Sequence, residues 1–205
     1  MPYIGTQPND VKKNTGLYTP SEILQLTKDG SWGGSLELIE EQTYSSAVSF
    51  VDFTSIGNYD VHLFQYSNIN EPTTSLGALG LRFSTDSGSS FASSGYEYAL
   101  QYGTVTGIFG EDKSTSDSQI MLENVGSGSF DSANGYCYIY NALNSSKYTF
   151  SSTQSMNDRA GQPTTMRFGG GVQPTAQTVN AFRILSTKGG NFTSFNIKLF
   201  GVKQI

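Results

Sequence analysis

The chain has 205 residues, 14% of them charged, with 23 glycines and a formal net charge of −5 at pH 7. This length fits one β-sandwich or β-barrel domain with a substantial core. The acidic balance argues against a nucleic-acid-binding surface, which usually carries a basic footprint. Because the chain has one histidine and one cysteine, an internal disulfide and an ordinary zinc site are excluded, and we expect no metal and no cofactor.

The N-terminal segment differs from the rest of the chain. Residues 1–17 are polar and lack periodicity, which is typical of an arm. A short helix is predicted at about residues 20–28, because Thr19 and Glu22 form a capping box and Gly30 follows as a stop. The segment has no secretory signal, and the chain has no apolar stretch that could span a bilayer. We therefore expect synthesis in the cytoplasm and no membrane insertion.

The apolar side chains of this segment need a docking surface, because a helix of about nine residues is too short to be stable alone. That surface is either the protein's own sandwich, which the sequence favours, or another subunit. Residues 1–33 are thus predicted to form an arm and attachment segment, and residues 34–205 a sandwich domain. The candidate attachment residues are Tyr3, Ile4, Tyr18, Ile23, Leu24 and Leu26.

From Ser35 onward, segments with alternating apolar residues recur at intervals of about ten residues, which is typical of a sandwich or barrel. The pattern predicts an all-β fold, an antiparallel β-sandwich or barrel, with an N-terminal arm and one short helix. In the final segment, Phe195, Ile197 and Leu199 share one face, so we expect its removal to unfold the domain. The predicted strands are 36–44, 47–53, 59–67, 78–84, 96–102, 119–125, 136–142, 147–154, 164–168, 179–186 and 191–202.

Three connecting features are also predicted. Asn134–Gly135 indicates a hairpin turn, since both residues tolerate a positive φ. Residues 103–118 indicate a long polar loop that carries binding or a subunit contact. Gly169–Gly171 indicates a bend or a close backbone approach, because no helix follows to complete a phosphate-binding loop.

The sequence contains few residues that could support catalysis. No nucleophile elbow, phosphate loop or zinc-protease motif is present, and no catalytic residue is predicted. His62 lies mid-strand among aromatics and Cys137 within an aromatic strand, so both are expected to be buried structural residues. Glu37 and Glu41 share one face of the first strand and Glu40 the other. They form either a charged edge strand, which we favour, or the seeds of a glycoside-hydrolase site.

Tyr136, Tyr138 and Tyr140 alternate along one strand and therefore share one face. Such a ladder is either a cross-strand packing stripe or a contact surface for a glycan or a protein partner.

Two segments carry a resemblance to known proteins. Ser49-Phe-Val-Asp-Phe-Thr-Ser-Ile-Gly-Asn-Tyr-Asp-Val-His-Leu63 resembles the early strand pair, and Gly190-Asn-Phe-Thr-Ser-Phe-Asn-Ile-Lys-Leu-Phe-Gly-Val202 the closing strand, of small virion proteins of tailed bacteriophages, especially marine ones. The opening Met1-Pro-Tyr-Ile-Gly5 resembles their leader. The resemblance implies an antiparallel β-sandwich of jelly-roll type displayed on the particle, commonly as a homotrimer attached through an N-terminal segment. It implies no site residue.

The first hypothesis is therefore a non-enzymatic structural virion protein, displayed as a capsid decoration, tail appendage or fibre. Its expected partners are other capsid or tail proteins and further copies of itself, with a trimer favoured. The second hypothesis is a carbohydrate-binding module that contacts host-surface glycans. A glycan-degrading jelly roll comes third.

Overall fold

The structure is a computed structural model that describes residues 19–28, 35–44, 46–71, 77–128, 130–159 and 161–203. The chain divides into two compact units, Met1–Ser35 and Leu36–Ile205. In the first unit, helix α1 spans Pro20–Lys28. Its predicted capping box is confirmed: the Glu22 amide donates to Thr19 Oγ1 at 3.3 Å, and the Thr19 amide donates to Glu22 Oε2 at 2.6 Å.

The second unit is an antiparallel β-sandwich, as predicted. Its twelve described strands are β1 (Leu36–Thr43), β2 (Phe50–Phe53), β3 (Val61–Asn70), β4 (Gly77–Ser84), β5 (Tyr96–Thr104), β6 (Phe109–Asp117), β7 (Ile120–Val125), β8 (Ser132–Tyr140), β9 (Thr149–Arg159), β10 (Gln162–Gln173), β11 (Ala181–Ser186) and β12 (Ser194–Val202).

The strands form two sheets of unequal size. The larger has the order β1-β12-β3-β8-β9-β10-β5-β6, and the smaller has the order β2-β11-β4-β7. A jelly roll with strands named B to I in chain order has one sheet B-I-D-G and one sheet C-H-E-F. The smaller sheet matches B-I-D-G. In the larger sheet, β3 corresponds to C, β5 to E and β6 to F. The three-stranded meander β8-β9-β10 takes the place of H, and β12 and β1 are added beside β3.

The core lies between the two sheets and is built from alternating inward side chains. On β12 the predicted alternation is confirmed, because Phe195, Ile197 and Leu199 are buried while the residues between them are half-buried. Phe64 and Phe182 meet edge to face across the sandwich, with ring centroids 5.6 Å apart. Such pairs stabilise a core beyond their burial alone.

Two predicted connections are wrong. Residues 109–117 form the edge strand β6, not a loop. Among the described strands it pairs with β5 only. It carries polar residues at almost every position, so it lacks the apolar alternation by which a strand is predicted from sequence. Asn134–Gly135 lies inside β8 and makes no turn. Gly135 is required there for space, since a Cβ at this position would lie 2.6 Å from the Gln154 carbonyl oxygen.

Candidate interaction face

The larger sheet presents one surface to the core and the opposite surface away from it. We call the second surface the outer face. It includes Tyr136, Tyr138 and Tyr140, which do share one side of β8 as the sequence predicts. The Tyr136 and Tyr138 rings are 5.9 Å apart, and the Tyr138 and Tyr140 rings 6.3 Å, so the three form a continuous ladder.

The ladder continues into apolar side chains on both neighbouring sides, which the sequence analysis did not single out. Met156 on β9 pairs with Met166 on β10, and both are about half exposed. Phe168 on β10 is 52% exposed. The period-two spacing of these residues was visible in the sequence, but only the strand order shows that they join the tyrosines. The outer face is completed towards β1 by Leu36, Leu38, Leu63 and Phe200 and towards β6 by Phe109 and Phe150.

One row across the outer face alternates aromatic rings with side-chain amides. The strand register places Gln65, Tyr136, Gln154, Phe168 and Gln101 side by side on five successive strands. We call these residues the central row. The Tyr136 hydroxyl donates to Gln154 Oε1 at 2.9 Å, which leaves the amide nitrogen of Gln154 as a donor towards solvent.

Shallow grooves run beside the tyrosine ladder. One of about 490 Å³ lies over β3 and β8, lined in part by Leu63, Gln65 and Tyr138. Another of about 500 Å³ lies over β5 and β10, with Ala99 and Gly170 among its lining residues. Small residues leave this second groove open.

The glycines of β10 confirm the prediction of close backbone approach. A Cβ at Gly169 would collide with the Ala99 carbonyl oxygen, and a Cβ at Gly170 with the Ser151 carbonyl oxygen. Because both obstacles are backbone atoms that a side-chain rotation cannot move, only glycine fits. These residues lie in mid-strand, and no helix begins at them.

Charged residues on the outer face are concentrated at its two edges. Lys198 lies 3.3 Å from Glu41 at the β1 edge, and Lys113 pairs with Glu111 on β6. By contrast, the outward side chains of the central strands β3, β8 and β10 are uncharged. The outer face therefore has an apolar, aromatic centre and a charged rim.

A buried charged cluster lies on the core side of the same sheet. Arg167 Nε donates to Glu123 Oε1 at 2.7 Å and its Nη1 contacts Asp112, while its guanidinium lies 4.9 Å from the Tyr102 ring centre. Ser155 and Asn157 also donate to Glu123. Burial raises the pKa of Glu123 above its usual value. Both carboxylate oxygens of Glu123 thus accept hydrogen bonds from protein groups, and we assign this cluster to the fold.

The glutamates of β1 do not form the arrangement that the sequence suggested. A β-bulge between Leu38 and Glu40 shifts the register, so Glu37 is opposite Gly201 whereas Glu41 is opposite Lys198. Glu37 and Glu41 therefore lie on opposite faces, and their predicted shared face is wrong. Glu37 lies 3.0 Å from Lys203, and β1 is an edge strand, as the favoured interpretation requires.

Most of the candidate attachment residues cannot be placed. Tyr3, Ile4 and Tyr18 lie outside the described residues, as do the side chains of Ile23 and Leu26. The Leu24 side chain is 55% exposed. Cys137 is buried as predicted, and burial raises the pKa of its thiol to about 12.

His62 is fully buried, also as predicted. Its Nε2 donates to the Ile56 carbonyl oxygen at 2.9 Å, while Nδ1 is buried without a hydrogen-bond partner. Burial lowers the pKa of this ring below its usual value. The ring also packs edge to face on Phe182, 5.2 Å between centroids, so it belongs to the core.

This burial predicts a pH dependence of stability. The unfolded chain gains a proton on His62 below pH ~6.5, but the folded chain resists it, so stability falls as pH falls through this range. We expect urea unfolding of the wild type to lose about 1 kcal/mol between pH 7.5 and 5.5 relative to His62→Gln, which can still donate to Ile56. If the free energy of unfolding changed equally with pH in the wild type and in His62→Gln, the prediction of a neutral buried His62 ring would be wrong.

Within the described part of the chain, no group of three or more His, Cys, Asp or Glu side chains is placed to hold a metal ion. Among the same residues, no helix has the length and apolar character needed to cross a membrane. No protein-family model matches the chain, and no curated protein or solved structure matches it.

Proposed function

We propose that the chain is a non-enzymatic structural protein of a bacteriophage particle, displayed on the surface as a capsid decoration, tail appendage or fibre. The phage assignment rests on the resemblance of the segments 49–63 and 190–202. Residues 1–33 attach the protein to another capsid or tail component, and the sandwich assembles with copies of itself, a trimer being favoured.

The observation that carries an assembly role is the outer face. Soluble monomers rarely expose contiguous apolar patches larger than a few hundred Å², and larger ones mark contact surfaces. Here the tyrosine ladder adjoins the exposed side chains of Met156, Met166 and Phe168, and the outward side chains of β3, β8 and β10 carry no charge. The side chains of this surface project from hydrogen-bonded strands of the larger sheet.

The proposal predicts that the two units have separable roles. A chain lacking residues 1–33 is expected to remain a folded, soluble sandwich, because all of the described core residues lie within residues 36–205. Quantitative mass spectrometry of purified particles of the phage that encodes this chain should detect the full chain in many copies. Particles from a phage that encodes the truncated chain should lack it. Incorporation of the truncated chain would contradict attachment through residues 1–33, and absence of the full chain would overturn the virion role.

The central row favours a second candidate function, the binding of host-surface glycans. Sugar rings stack their apolar faces on aromatic side chains, and their hydroxyls bond to planar amides. The row offers Tyr136 and Phe168 as stacking rings, each flanked by glutamines.

A glycan array screened with the purified chain tests this candidate. If a glycan binds at the outer face, Tyr136→Ala should weaken binding about tenfold or more, equivalent to roughly 1.4 kcal/mol. Tyr44→Ala serves as the matched control, because Tyr44 is comparably exposed but packs on Phe195 of the core. An equal loss in both variants, or no bound glycan, would remove the candidate.

The hydrolase hypothesis receives the least support. The bulge in β1 puts Glu37 and Glu41, the pair that the sequence suggested, on opposite faces; it places Glu40 on the face of Glu37, whose carboxylate is held by Lys203. Unchanged polysaccharide turnover after replacing each of Glu37, Glu40 and Glu41 with Gln would exclude it.

A further inference from the structure

We infer that the partner of the outer face is a second copy of this chain. The inference rests on the proposed assembly role and names the surface through which copies meet. Three properties of the outer face support it: its area, the distribution of residue types across it, and the balance of charges at its edges.

The area is sufficient for a stable interface. Eight strands spaced about 4.8 Å apart, each roughly 9 residues long at about 3.3 Å per residue, span on the order of 1,000 Å². A standard protein–protein interface needs about 800 Å² from each partner. A bound oligosaccharide would cover only part of the outer face, whereas another sheet of the same size covers it fully.

The distribution of residue types matches the anatomy of protein interfaces. Their buried centres are enriched in aromatic residues and methionine and depleted of charge, and their rims are polar. The outer face has this arrangement, with Tyr138, Met156, Met166 and Phe168 near its centre. Its charged pairs lie on β1 with β12 and on β6.

The edge charges fit a copy of the same chain. The protein carries a net charge of −5, so a rim of one sign would repel its own copy. Each edge instead carries both signs, Glu41 with Lys198 at one side and Glu111 with Lys113 at the other. Such edges can face each other without net repulsion.

Light scattering of the purified full chain tests the inference. We expect a mass that is a whole multiple of the 22.2 kDa chain and persists on dilution. Phe168→Lys and Met166→Lys each place a charge in the centre of the outer face and should reduce the mass to that of one chain. Phe130→Lys is the matched control, because Phe130 is 97% exposed in the connection between β7 and β8, away from the outer face. This control should keep the wild-type mass.

Circular dichroism separates a loss of assembly from a loss of folding. Because Phe168 and Met166 are about half exposed, circular dichroism of their lysine variants should show folded sandwiches. A wild-type monomer at every concentration would overturn the inference, as would an oligomer that both lysine variants retain. In either case, incorporation of the wild-type chain into particles would still support the proposed function, with the outer face then docking a different protein.

Discussion

A chain ended after Gly190 is expected to lose its folded sandwich altogether. The truncation removes β12, which pairs with β1 on one side and β3 on the other, so β1 loses its one partner among the described strands and β3 loses one of two. It also removes Phe195, Ile197 and Leu199 from the core. Each of these side chains contributes about 2–5 kcal/mol, and their sum matches the roughly 5–15 kcal/mol that stabilises a typical domain.

Near-ultraviolet circular dichroism and amide dispersion in NMR spectra would report the loss. Point variants on the same strand provide the matched comparison. Leu199→Ala should lower the free energy of unfolding by about 2–5 kcal/mol, since it leaves a cavity in the core. Lys198→Ala on the outer face should change it by less than about 1 kcal/mol, because its ion pair is partly exposed. A truncated chain with native spectra would show that β12 is dispensable.

The second large effect is expected for Arg167→Met. This change removes the guanidinium that pairs with Glu123 and leaves a fully buried carboxylate without its cation. Breaking a buried pair in this way costs about 3–5 kcal/mol, more than the pair itself contributes. Urea unfolding at pH 8 would measure the loss directly.

The pH dependence of that loss identifies its cause. Burial already raises the pKa of Glu123, and removal of Arg167 raises it further, so the folded variant binds a proton that the unfolded chain releases. The loss of stability in Arg167→Met relative to the wild type should therefore shrink as pH falls from 8 to 5, a comparison in which the contribution of His62 cancels. Adding Glu123→Gln, which keeps hydrogen-bonding atoms for Ser155 and Asn157, should remove this pH dependence and restore part of the stability. A pH-independent loss would indicate lost packing of the Arg167 side chain instead.

The sequence predicted most of the sandwich because its inner strands carry a two-residue apolar period, as β12 shows. It failed for β6, which pairs with β5 alone among the described strands and carries polar residues at almost every position. It also misassigned Asn134–Gly135, because the local turn preference of this pair is overridden by the close packing of Gly135 against β9. Tertiary contacts of this kind are invisible in a local pattern.

The candidate site could be predicted only in part. The alternation of Tyr136, Tyr138 and Tyr140 placed them on one face without further information. Which side of the sheet they occupy, and that Met156 and Phe168 extend the same surface, depends on a strand order that the sequence does not encode locally. The β-bulge after Leu38, which places Glu37 and Glu41 on opposite faces of β1, could not be predicted from the sequence either.

The pairing of β1 with β12 has a consequence for how the protein folds. Leu36 is opposite Val202, so the larger sheet cannot be completed until almost the whole sandwich sequence has been synthesised. Closing such long loops costs chain entropy before the new contacts compensate, which makes folding slow, on the order of milliseconds to seconds. A nascent chain meanwhile exposes the unpaired edges of β1 and β3. Production of the protein is therefore expected to depend on temperature and chaperone supply more than its final stability suggests.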